Sequence, residues 1–260
     1  MTVQTVYDLI NALAPFDTQA DFDNSGLLVG SAGEKVSGIL CALDVSEPVI
    51  REAVSLGANL IVTHHPIMFD ARKRVTDADY EGRLLLSLIR NRISLIAAHT
   101  NLDQAPGGIN DALARVCGLL DVKGEGFVRA GRLPSPMKAG ELKSFLSAAL
   151  RTDVRLMGDP EAPVSVLGMC SGAGGGEWED AASLGADAFL SGEIKHHLAL
   201  AMADAGIPAF ECGHYATEAP GIFALADALQ SALNQVKYKV DVFKTATGAY
   251  AFRSRPGQTE

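Results

Sequence analysis

Six consecutive residues, Ile61-Val62-Thr63-His64-His65-Pro66, restrict what this chain can fold into more than any other stretch. Ile, Val and Thr carry branched Cβ atoms that suit a pleated strand, Ala58-Asn59-Leu60 extends the run backwards, and Pro66 cannot continue a ladder hydrogen bond. A short, almost continuously apolar strand is one covered on both faces, as in the parallel sheets of α/β proteins. Where it stops, two imidazoles emerge together at its carboxyl end, the edge at which open α/β sheets hold their ligands. The pair reads as half of a metal site, against the plainer alternative of two hydrogen-bonded strand-end histidines.

The surrounding pattern agrees with a buried strand. Val6, Leu9, Ile10 and Leu13 share one helix face over residues 3–14, and Pro15 closes it. Asp23-Asn24-Ser25-Gly26 is a turn-rich entry into a short strand. Then come a strand at 38–45, a helix at 47–57, the strand at 58–63, a basic loop at 71–76, a helix at 80–90, a strand at 93–98 and a helix at 107–117. From 121 to 136 the texture changes to Gly, Pro and basic residues, which reads as a boundary between lobes 1–125 and 126–260. The second lobe repeats the theme: helices at 138–150, 178–184, 195–205 and 217–233, strands at 164–170, 186–190 and 207–212. A closing strand over 236–243 is free to return to the first lobe, and 254–260 reads as a frayed tail.

Ala53-Val54-Ser55-Leu56-Gly57-Ala58 and the following residues to His65 line up without a gap against Ala181-Ala182-Ser183-Leu184-Gly185-Ala186 and on to Glu193. In the same register of elements, His99 to Asp103 falls opposite His214 to Glu218. The expectation is an α/β fold of two related lobes with mainly parallel sheets facing a shared metal cleft.

A chain of 260 residues with 48% hydrophobic residues has ample material for a core. Its net charge of −9 and the absence of a basic stripe argue against a nucleic-acid partner. No signal-peptide pattern and no apolar run near the roughly 18 residues of a membrane span occur, so the expectation is a soluble cytoplasmic protein without a membrane partner. Cys41, Cys117, Cys170 and Cys212 form no C-x-x-C and read as buried reduced thiols.

All six histidines fall in four places: His64-His65, His99, His196-His197 and His214. His99 and His214 each follow an apolar run and each precede a carboxylate by four residues, Asp103 and Glu218, which puts both groups on one side if the chain turns helical there. His64, His65, His214, Asp103 and Glu218 together offer three imidazoles and two carboxylates. That is enough for two first-row metal ions sharing a carboxylate, with positions left for water. Asp44 and His99 are candidates to hold an imidazole from behind, and His99 is alternatively a ligand itself. His196 and His197 point about 100° apart on a helix and cannot chelate together. Ser171, Gly172, Gly174 and Gly175, between a strand and a helix, are candidates to cradle a phosphate, against the alternative of a plain tight connection.

Asp23-Asn24-Ser25-Gly26-Leu27-Leu28-Val29-Gly30, Thr63-His64-His65-Pro66, His99-Thr100-Asn101-Leu102-Asp103, Ser191-Gly192-Glu193 and Gly213-His214-Tyr215-Ala216-Thr217-Glu218 together resemble the Nif-three-like dinuclear metal-centre family, whose members are often labelled GTP cyclohydrolase 1 type 2 homologues. The resemblance spans nearly the whole chain. It implies that His64, His65, Asp103, His214 and Glu218 are the ligands of two divalent ions (Zn, Fe, Mn, Co or Ni), that Glu218 is the bridge, and that the molecule is a toroidal homohexamer. Glu193 joins Asp44 and His99 as a residue expected behind the ligands. The expected activity is hydrolysis by metal-activated water, either GTP cyclohydrolase-type ring opening or hydrolysis of a nucleotide or other small phosphorylated substrate. The rival reading is a metal-binding scaffold or regulatory hexamer that turns nothing over.

Overall fold

The structure, a computed structural model, describes residues 1–248. In chain order the elements are α1 (Val3–Leu13), β1 (Gly26–Val29), β2 (Ile39–Ala42), α2 (Glu47–Ser55), β3 (Leu60–Thr63), α3 (Tyr80–Arg90), β4 (Ser94–Ala97), α4 (Thr100–Gln104), α5 (Ile109–Val116) and β5 (Leu120–Lys123). They continue with β6 (Arg129–Lys138), α6 (Ala139–Leu150), β7 (Arg155–Met157), β8 (Pro163–Cys170), α7 (Trp178–Ser183), β9 (Ala188–Ser191), α8 (His196–Asp204), β10 (Ala209–Glu211), α9 (His214–Gln235) and β11 (Val242–Lys244). Two units result, one of residues 1–100 with the chain from 226 onward, the other of residues 101–225.

In the first unit the sheet order is β1-β4-β3-β2-β11. The strand that ends in the histidine pair is central: β3 is parallel to both β2 and β4, with Ile61 level with Leu40 and Leu95. All its residues are buried, which is why the run is apolar without alternation. β11 adds to β2 in parallel and β1 closes the β4 edge antiparallel. Ser46 caps α2, its hydroxyl accepting from Val49 N, with proline in the first turn. Val49, Ile50, Leu84 and Leu88 of α2 and α3 pack with Leu40, Ile61 and Leu95 of the strands.

In the second unit the order is β5-β6-β8-β9-β10-β7. β8, β9 and β10 are mutually parallel, while β6, β5 and β7 each pair antiparallel with a neighbour. β5 therefore runs with β8, β9 and β10, so four of the six strands share a direction. Leu142 and Leu146 of α6 pack on Leu167, Met169, Leu190 and Phe210.

The internal echo has a structural counterpart. Leu60 sits level with Ile39 as Ala188 sits level with Leu167. At the junction before the central strand, Ala58 N donates to Ala53 O and Ala186 N to Ala181 O, both at the same point after the helix. Between them, Gly57 at φ +68° and Gly185 at φ +94° reverse the chain in a region that costs L side chains energy. The correspondence then slips by one residue: Ala98 N donates to Thr63 O and Cys212 N to Ser191 O, so His99 is level with Gly213 and not with His214.

The Gly- and Pro-rich stretch at 121–136 is not where the units divide; it forms the turn and second strand of the β5–β6 hairpin. The tail expected over 254–260 lies outside the described residues. Among the described residues no helix is long and apolar enough to cross a membrane.

The C-terminal segment is fastened by one carboxylate. Burial alone pushes the Glu52 carboxyl up, but donation by Ala246 N and the hydroxyls of Thr245 and Thr247 outweighs it and holds Glu52 below its ordinary range. Because the folded-state pKa is the lower one, this contribution is present at neutral pH and lost as pH falls through the carboxylate range. The melting temperature of Glu52→Gln is accordingly expected below that of the parent at pH 7, with the gap closing on acidification; thermal melts from pH 7 to 4 check it.

Candidate metal centre

In the first unit the ends of three adjacent parallel strands supply the site. The ladder continues past β3, with His64 N donating to Ala42 O at 3.3 Å and His65 N to Leu43 O at 3.0 Å. The Thr63 hydroxyl donates to the His65 carbonyl at 2.8 Å and fixes the turn into Pro66. Both rings are thereby delivered to one edge. His64 is fully buried and its Nδ1 donates to the Ala98 carbonyl, just past β4, at 2.9 Å. His65 Nδ1 donates to Asp44 Oδ1, just past β2, at 2.7 Å.

His99 completes a group of three. Its ring centroid lies 5.0 Å from that of His64 and 5.6 Å from that of His65, and one ring nitrogen of each can be chosen so that all three lie within 4.8 Å of one another. His99 Nδ1 donates to Asp23 Oδ1 at 2.8 Å. Asp23 also accepts from Thr100 N at 3.0 Å, from the Thr100 hydroxyl and from the Ser25 hydroxyl, while Ser25 Oγ accepts from His99 N at 3.1 Å. Burial by itself pushes the Asp23 carboxyl up; the bonds from His99 and Thr100 win and hold it well below the carboxylate range. Asp23 was legible in sequence only as a turn residue, because nothing in Asp-Asn-Ser-Gly announces a partner 76 residues away.

The second unit builds its donors on helix starts. The chain does turn helical after both strands, at Thr100 and at His214. In α9 this sets His214 Nε2 3.1 Å from Glu218 Oε2, one turn on. His214 Nδ1 donates to Glu193 Oε1 at 2.7 Å, just past β9. Asp103 and Glu218 are both buried, and a carboxylate oxygen of one lies within 4.8 Å of one of the other. Imidazoles held through Nδ1, beside buried carboxylates, are the chemistry a divalent-metal site needs, and these residues fit one.

The glycine-rich segment 171–176 has a steric explanation. A Cβ at Gly172 would lie 2.1 Å from Glu218 Oε1, at Gly174 2.2 Å from Cys170 Sγ, and at Gly175 2.6 Å from the Glu193 carbonyl. Three of the four candidate N–H groups are occupied within the unit: Ser171 N donates to Asn110 Oδ1, Gly172 N to Thr217 Oγ1 and Gly174 N to Ser171 O. The expected phosphate cradle at Ser171, Gly172, Gly174 and Gly175 is therefore corrected to a close-packed connection that makes room for Glu218. His196 and His197 are exposed in the first turn of α8, outside every metal-capable group of the described residues. Burial pushes the Cys41 and Cys117 thiols up to about 12, and Cys170 and Cys212 higher than ordinary as well, and none of the four belongs to a metal-capable group of the described residues.

Comparison with known proteins agrees with this picture. The sequence model of the Duf34/NIF3 family (NGG1p interacting factor 3) matches residues 1–248. A Clostridium perfringens protein named GTP cyclohydrolase 1 type 2 homolog is 32% identical over 244 residues, covering 90% of this chain and 93% of its own. A Streptomyces coelicolor protein of the same name is 34% identical over 230 residues, covering 83% and 81%. Among solved structures, a Staphylococcus aureus hypothetical protein matches with a TM-score of 0.92 at 26% identity, covering 97% of this chain and 99% of its own. Reduced HcgD from Methanocaldococcus jannaschii matches with a TM-score of 0.81 at 27% identity, covering 95% and 98%.

The geometry predicts that Gly172→Ala displaces the Glu218 carboxylate and sharply lowers divalent-metal uptake with little change in circular dichroism. Asp44→Ala and Glu193→Ala, which remove the groups behind His65 and His214, are expected to weaken metal binding about 10- to 100-fold. Isothermal titration with zinc and with manganese checks both.

Proposed function

We propose, on the premise that this chain belongs to the Duf34/NIF3 family, that it is a cytoplasmic divalent-metal-dependent hydrolase with His64, His65, Asp103, His214 and Glu218 as ligands of two ions and Glu218 as their bridge. One observation carries the reading: His64, His65, His99 and His214 all spend Nδ1 on a carbonyl or carboxylate. In the neutral form of each ring that bond leaves Nε2 as the lone-pair donor, which packing alone would not require four times. Imidazole with carboxylate suits Zn, Fe, Mn, Co or Ni. When bound, such ions supply Lewis acidity and a water acidic enough to ionise near neutral pH.

The chain's own residues orient and insulate. Asp44 and Glu193 hold the rings of His65 and His214 and raise their basicity, and their more exposed carboxylates are placed to relay a proton between Nδ1 and solvent. Asp23 holds the His99 ring in the same way, but its side chain is shielded from solvent and relays no proton; His99 so held stands as a further candidate donor to the same centre. Buried Asp103 and Glu218 supply the negative charge that offsets the ions, in surroundings where charge interactions are strong.

The relatives' name makes guanine nucleotides the first substrates to try. In ring opening, one water adds at C8 of the guanine imidazole ring and the C8–N9 bond breaks to leave a formamide on N7; a second water adds to that formyl carbon, the C8–N7 bond breaks, and C8 leaves as formate while the two nitrogens take up the protons. Metal-loaded protein incubated with GTP is expected to release formate and a ring-opened product by mass spectrometry, and an Asp103→Ala, Glu218→Ala double variant is expected to lose both metal and turnover. Release of phosphate instead would redirect the reading to phosphoester hydrolysis. Full metal occupancy with no product from GTP or a nucleotide pool would overturn the hydrolase and leave the scaffold. The assembly that belongs to this reading is a homohexamer; light scattering is expected to return six protomer masses, and a monomer would remove that part.

A further inference from the structure

Phe22, Phe69, Tyr80, Phe145 and Tyr238 are the aromatic residues exposed among the described residues, and one of them, Phe69, packs against the three-histidine group. Phe69 meets the His99 ring edge to face, with centroids 5.5 Å apart at 84°. Phe22 precedes Asp23, the carboxylate behind His99. The Asn24 side-chain amide donates to the Met68 carbonyl at 2.7 Å and ties the Phe22 segment to the start of the Phe69 loop.

Phe69 is 51% exposed and Phe22 71%, although a phenylalanine ring loses favourable burial energy wherever it stands in water. The loop that carries Phe69 is nonetheless held in place. Arg72 bonds both carboxylate oxygens of Asp79 at 2.7 Å and also pairs with Glu81, and Asp79 in turn caps α3 through Gly82 N at 2.7 Å. An exposed ring on an anchored loop, against a ligand-bearing imidazole, is a platform rather than a core residue that failed to pack.

Resting on the metal-centre reading above, we infer that Phe69, with Phe22 as its neighbour, is a stacking platform that makes the centre specific for substrates with a planar heteroaromatic ring, and that Arg72 is the positioning residue that holds it. Every nucleobase has a π-face, and base–aromatic stacking contributes enough that loss of the ring should weaken binding about fivefold or more.

The test uses the metal-loaded full chain and three probes: GTP, guanosine and inorganic pyrophosphate. Phe69→Leu is expected to weaken GTP and guanosine alike by about fivefold or more, to leave pyrophosphate unchanged, and to keep the metal content by elemental analysis. Phe69→Tyr is expected to stay within about twofold of the parent, because the face is kept. Arg72→Ala is expected to copy Phe69→Leu and Arg72→Lys to recover part of the loss. Unchanged GTP affinity in Phe69→Leu overturns the proposal, as does a parallel loss for pyrophosphate, a loss that tracks a change in oligomeric state, or no saturable binding of GTP and guanosine by the parent. GTP binding that depends on Phe69 without any turnover sinks the hydrolase and leaves the platform standing.

Discussion

The candidate site depends on one arrangement, an imidazole pinned through Nδ1 by an acceptor the fold has already fixed. In the first unit the acceptors come from the neighbours of β3: Asp44 follows β2 and the Ala98 carbonyl follows β4. This works only because β2, β3 and β4 are parallel, so all three strands end at the same edge. An antiparallel β4 would carry Ala98 and His99 to the opposite edge and leave His64 without its carbonyl. The sheet topology thus decides which ring nitrogen of each histidine is held by the fold and which faces the site.

The same packing decides which donor atoms are offered. The four cysteines lie in the cores, where burial penalises the thiolate. No cysteine joins the metal-capable groups of the described residues, so the donors these offer are nitrogen and oxygen, a set that suits first-row divalent ions. Asp23 shows the opposite balance. Its side chain is shielded from solvent, yet its hydrogen bonds from His99, Thr100 and Ser25 keep it charged. Burial raises a carboxyl only when nothing solvates the charge, and here the protein does.

The fold class and the family were legible because they rest on local signals. Apolar four-residue runs, Gly57 and Gly185 at helix–strand junctions, and caps such as Ser46 each need only a few neighbouring residues to be read. β3, α3 and α9 lie close to where periodicity puts them. The β5–β6 hairpin was mistaken for a boundary because β5 is exposed along its length and Gly, Pro and Arg in β6 mask the alternation. The glycine-rich segment misled for a related reason. Glycine signals close approach, and the sequence does not say whether a phosphate or a carboxylate is what comes close; the Cβ contacts at Gly172 name Glu218. Asp23 was unreadable as a partner because its bond to His99 is made by tertiary structure alone.

The echo between the units explains why the donors are placed differently in each. In strand register His64 and His65 correspond to Gly192 and Glu193. A histidine at 192 is impossible in the present packing, since even a Cβ would stand 2.5 Å from the Gly172 carbonyl, 2.8 Å from Thr217 Oγ1 and 2.9 Å from His214 Cα. The space that a strand-end imidazole fills in the first unit is filled in the second by the start of α9. The candidate donors of this unit accordingly stand on that helix, at His214 and Glu218, and the strand end contributes Glu193 behind His214. Two units with the same strand register offer two kinds of candidate donor because, at Gly192, the start of the following helix leaves no room for a side chain.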